Sequence, residues 1–126
     1  MDLVHWCLMI MGILPIVCAG ISKAGARSYD NRNPREWLAA QEGYRKRAVA
    51  AQQNSWEAFA YFTAAMVVAT ATQANLDGLE NLTVYVVLAR VAYIVCYVAD
   101  WHLARTLCWT VGFAVTTAIF FAGPPL

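Results

Sequence analysis

The stretch that decides the fold is RKRAVAAQQNSWEAFAYF, Arg45–Phe62. Three cations lead into a segment that turns apolar, yet two glutamines, an asparagine and Glu57 lie inside it. The run Ala48–Thr72 becomes strongly apolar from Ala58 onward, so Glu57 stands inside a candidate membrane span. Three further runs share this character. Leu3–Ile21 is apolar but for His5, Leu82–Ala99 holds only Arg90, and Thr106–Ala122 holds no charge. Each approaches the ~20 residues a helix needs to cross ~30 Å of hydrocarbon.

Composition agrees. The chain is 60% apolar and 13% charged, whereas soluble domains run to about a quarter charged. So few charges cannot cover a globule of this size, which excludes a soluble bundle, and without period-two alternation a barrel is excluded too. The expected fold is an all-α integral membrane four-helix bundle of up-down topology. It forms a single domain over 1–126, with spans of about 3–22, 47–72, 82–100 and 105–122. A net charge of +1 gives no reason to expect nucleic acid. Cys7, Cys18, Cys96 and Cys108 lie in apolar runs without CxxC spacing and read as small buried hydrophobes rather than disulfides or metal ligands.

The connections set the expected orientation. The first holds Lys23, Arg27, Arg32, Arg35, Arg45, Lys46 and Arg47, seven of the nine cations. The second has Asp77 and Glu80, and the third has Arg105. The positive-inside rule puts the first and third in the cytoplasm and both termini on the other side. Within the first, Asn33-Pro34 followed by Glu36 predicts that the second helix starts near Pro34 and runs, with a break at Gly43, into the membrane.

At about 100° per residue, Arg47, Asn54, Glu57 and Tyr61 fall within about 80° on one helix face. Arg90, Tyr93, Tyr97 and Asp100 do the same on the next helix. A charge facing lipid costs at least ~2.5 kcal/mol, so both stripes are expected to turn inward, with Glu57 paired to Arg90. Such a pair alone reads as a register-fixing device. The number of polar groups, Arg105 included, points instead to a ligand site. His5 and His102 are isolated, and no metal set is expected.

These residues carry a resemblance. The chain resembles the MAPEG proteins, membrane-associated proteins in eicosanoid and glutathione metabolism. Asn54-x-x-Glu57 follows a basic loop, and the series Arg90, Tyr93, Tyr97, Arg105 crosses the last two helices. DNRNPR and KRAVAAQQNSWEAF look like the bacterial branch, which implies the cell inner membrane. The resemblance implies a homotrimer in the lipid bilayer, with glutathione bound as co-substrate between subunits. It implies a microsomal-type glutathione transferase or a peroxidase acting on apolar small molecules. Arg105 then stabilises the thiolate as the catalytic residue, and Arg47, Asn54, Glu57, Arg90, Tyr93 and Tyr97 bind the ligand. Small residues on the second helix (Ala48, Ala50, Ala51, Ala58, Ala60, Ala64 and Ala65) suit close approach of helices around a trimer axis. Two positions depart: Ala50 replaces an arginine of the eukaryotic enzymes, and Tyr61 a frequent proline. Ala50 keeps a second reading open, a non-catalytic trimer that binds a lipid, a quinone or another anionic ligand, or scaffolds a partner.

Overall fold

A computed structural model describes residues 1–125. Among these the regular structure is entirely α-helical. The helices are α1 (Leu3–Lys23), α2 (Pro34–Ala39), α3 (Gly43–Ala71), α4 (Leu76–Val98) and α5 (His102–Phe120). The helix ends of α1, α3 and α5 lie within a few residues of the stretches 3–22, 47–72 and 105–122. α4 starts earlier, because the Asn75 side chain accepts from the Asp77 N–H at 3.1 Å and nucleates the helix ahead of the apolar run.

The first connection differs from expectation: the helix begun at Pro34 ends at Ala39 and α3 starts separately at Gly43. Asn33 precedes α2, but its side chain caps nothing. Its Nδ2 donates instead to Asp30, whose carboxylate also accepts from the Arg32 N–H at 2.9 Å. These contacts hold the Asp30 carboxyl below its ordinary range, the Arg32 N–H first among them. The break at Gly43 is present: Gly43 has φ +64°, which a glycine adopts without strain. α3 then runs 29 residues, about 43 Å at 1.5 Å per residue, longer than the hydrocarbon layer is thick.

α3 and α4 end alike. Gln73 and Asp100 take the left-handed conformation, at φ 56° and 64°. The next N–H reaches back to close each end, Ala74 to the Ala69 carbonyl at 2.9 Å and Trp101 to the Cys96 carbonyl at 2.8 Å. Asp100 is therefore an exposed turn residue, outside the polar stripe drawn from periodicity.

The cations that open α3 tie the bundle together. Arg45 Nη1 donates to the Ser22 carbonyl at 3.1 Å, near the end of α1. Arg47 donates through Nε and Nη2 to the Val98 carbonyl, at 3.2 and 3.1 Å, at the last residue of α4. Orphaned carbonyls at both helix ends thus receive guanidinium donors, where the helix dipole favours a cation.

α1 packs on α3 and α4, α4 on α5, and α3 also meets α4 and α5. Met11, Phe62, Leu79, Val86 and Ile119 fill the centre. Ile16, Val67, Leu88, Val95, Leu107 and Val111 point outward and are exposed. α1, α4 and α5 are each long and apolar enough to cross a membrane. α3 is not among them, because its first half carries the polar run Arg45–Glu57.

Candidate functional site

The site lies where α3, α4 and α5 converge. α4 supplies Arg90, which is 3% exposed although it is a cation. Its Nη2 donates to the Ser55 hydroxyl of α3 at 3.3 Å. Its guanidinium lies 4.0 Å from the centre of the Tyr93 ring, whose π face offers partial compensation for lost water. Gly112 of α5 lets the helices approach: a Cβ there would meet Ala89 Cβ and Arg90 Cδ at 3.6 Å each.

The expected Glu57–Arg90 ion pair is not formed. Among the described residues, the one Lys or Arg within 4.0 Å of a carboxylate is Lys46, beside Glu42. Glu57 is exposed and accepts from Asn54 Nδ2 at 3.4 Å. The reason is angular. The Arg90 guanidinium points at Ser55, which lies on the buried side of α3, while Glu57 stands about 200° further round at the rim.

Asn54, Glu57, Tyr61, Arg90, Trp109 and Phe113 line a cavity of about 190 Å³. Two buried polar atoms of its lining residues have no partner among the described residues: Nε of Arg90 and Oδ1 of Asn54. One is a donor and the other an acceptor.

A second cavity of about 210 Å³ lies beside it, lined by Tyr93, Tyr97, Arg105, Thr106 and Trp109. Arg105 sits 4.4 Å from the centre of the Tyr97 ring. Tyr97 meets Tyr93 edge-on at 5.6 Å, and Tyr93 carries Arg90. The two arginines thus flank one edge-on tyrosine pair, and Trp109 borders both cavities. Arg47 lines neither, being engaged at Val98.

A sequence model of the MAPEG family matches residues 3–123. The chain belongs to the MAPEG family. No curated protein and no solved structure matches it. With its three apolar helices, this MAPEG chain is an integral membrane protein.

Ser55 and the α5 face were missed in the sequence. Trp109, Gly112, Phe113 and Thr116 follow the i, i+3, i+4, i+7 spacing of one helix face, and the lone glycine in an apolar run was the available signal. Trp109 stacks on Phe113 at 5.2 Å and Phe113 on Tyr61 at 5.1 Å. The Tyr61 hydroxyl lies 2.9 Å from Thr117 Oγ1. Thr117 already donates to the Phe113 carbonyl, so Tyr61 is the donor. Tyr61 is thereby fixed in the cavity wall.

Proposed function

We propose that this MAPEG protein binds glutathione and uses the bound thiol as a transferase or peroxidase on apolar electrophiles. The observation that carries the reading is the orphaned pair, Arg90 Nε and Asn54 Oδ1, lining one cavity. Buried polar groups are normally satisfied, and each one left alone costs about 1–3 kcal/mol. A peptide-like ligand brings both complements, a carboxylate or carbonyl for Arg90 and an amide N–H for Asn54. Glu57, at the rim, suits the ligand's amino group, and Tyr93 and Tyr97 flank it. Arg105 favours the thiolate over the thiol. A guanidinium cannot take the proton but lowers the thiol pKa from about 8.5.

In this reading 1–126 is one domain in which α3 spans the membrane with α1, α4 and α5, and the basic first connection is cytoplasmic. The protein belongs to the bacterial branch and sits in the inner membrane as a homotrimer. Of the α3 alanines, Ala48, Ala51 and Ala65 are buried within the chain, while Ala60 and Ala64 are exposed beside Val67. That outward stripe, next to Glu57, supports a subunit contact at the site.

One observation favours a non-catalytic trimer that takes a lipid, a quinone or another anion. Ala50 replaces a cation, and Arg47 is held at Val98 and does not make good the loss. Thermal melting in detergent with and without millimolar glutathione separates the two. The glutathione reading expects a rise in melting temperature and glutathione-dependent turnover of an apolar electrophile. Neither effect would leave the non-catalytic trimer.

A further inference from the structure

Away from the candidate site, α2 overhangs α3 and encloses a groove of about 480 Å³, within the ~300–1,000 Å³ range of ligand sites. Arg35 and Leu38 line it from α2, and Val49, Gln52, Gln53 and Trp56 from α3. The α3 residues share one helix face by their spacing. The groove is amphipathic. Arg35 is exposed and has no carboxylate within 4.0 Å among the described residues. The glutamines add amide donors. Leu38, Val49 and a 43% exposed Trp56 make an apolar wall. The connection around it holds seven cations against three carboxylates, Asp30, Glu36 and Glu42.

We propose that this groove binds an anionic phospholipid, its headgroup phosphate on Arg35 and an acyl chain over Leu38 and Trp56. Charge and shape choose this occupant together. A guanidinium takes a phosphate through paired N–H donors, and basic residues next to a membrane helix gather anionic lipid. A soluble phosphate compound would leave Leu38 and Trp56 facing water. A zwitterionic lipid carries its own ammonium beside the phosphate and weakens the attraction to Arg35. A second copy of the chain would have to bury an unpaired Arg35, which is costly. The proposal is independent of glutathione, and its test uses no turnover.

The full chain is reconstituted in phosphatidylcholine vesicles containing either phosphatidylglycerol or phosphatidylcholine brominated on the acyl chains, at equal mole fraction. The fluorescence lost in Trp56→Phe isolates the Trp56 signal from the other four tryptophans. Brominated phosphatidylglycerol should quench that signal several-fold more than brominated phosphatidylcholine, and Arg35→Gln should remove the difference. Equal quenching by both lipids, or a preference that survives Arg35→Gln, overturns the proposal. Protection of Trp56 from both lipids also overturns it and assigns the groove to a protein contact. Native mass spectrometry of the parent chain gives an independent reading: retained phosphatidylglycerol supports the site, and equal retention of both lipids opposes it.

Discussion

Arg90 of α4 and Ser55 of α3 share a buried hydrogen bond of 3.3 Å, in which a cation meets a hydroxyl. It is a neutral hydroxyl, so the guanidinium is buried without a counter-charge among the described residues. Replacing a buried charge by an apolar side chain of similar length is often neutral or stabilising. Arg90→Met should therefore unfold at the parent's denaturant midpoint or above it, from no change to a gain on the order of 1 kcal/mol. It should also lose glutathione-dependent turnover. A large loss of stability would mean that a carboxylate pairs with Arg90 in the assembled protein.

Glu57 is expected to behave in the opposite way. With only Asn54 as a partner and its carboxylate exposed, Glu57→Gln should change unfolding free energy by less than about 1 kcal/mol. Its effect should appear in glutathione affinity, measured by calorimetry. Unaltered affinity would remove Glu57 from the ligand contacts.

Arg47→Ala removes both donors from the Val98 carbonyl and leaves the end of α4 to water. A loss of about 1–2 kcal/mol in stability is expected, with partial recovery in Arg47→Lys, since lysine supplies the charge without the fork. Glutathione affinity should move less than stability does. A fall in affinity with stability intact would return Arg47 to the ligand site.

Arg105 and Asn54 should separate kinetically. Arg105→Ala removes an interaction that strengthens as thiolate charge develops, so turnover should fall about a hundredfold with KM little changed. Asn54→Ala should chiefly raise KM. Equal turnover of Arg105→Ala and parent would end the catalytic reading.

Gly112 tests the cavity wall. Gly112→Ala places a Cβ at ordinary contact distance from Ala89 and Arg90, so stability should stay within about 1 kcal/mol of the parent. Gly112→Leu should force α4 and α5 apart and abolish ligand-induced stabilisation. If Gly112→Leu still melts higher with glutathione, the ligand sits elsewhere.

Much of the helical layout could be read in the sequence because long apolar runs announce themselves by length and apolarity, but Gly43 reads as a break in a helix begun near Pro34 rather than as the start of a separate one. The start of α4 could not, since Leu76–Glu80 looks like a polar loop until the Asn75 cap is seen. Within the site, Asn54, Arg90, Tyr93, Tyr97 and Arg105 were legible because polar residues in a span have few places to go. The partner of Arg90 was not. A helical wheel gives direction around the axis but not the reach of a guanidinium, and Ser55 carries no charge to draw attention. Trp109 and Phe113 escaped because an aromatic facing a cavity reads like one facing lipid.

The two guanidinium ties at the head of α3 bear on biogenesis. When Arg45 leaves the ribosome, its acceptor Ser22 has already been made, 23 residues earlier. Arg47 must wait for Val98, 51 residues later. Until then that carbonyl does not exist, and the guanidinium is left to solvent. Synthesis of α4 brings the Val98 carbonyl, so the tie that fastens the start of α3 to the end of α4 forms only after α4 has been made.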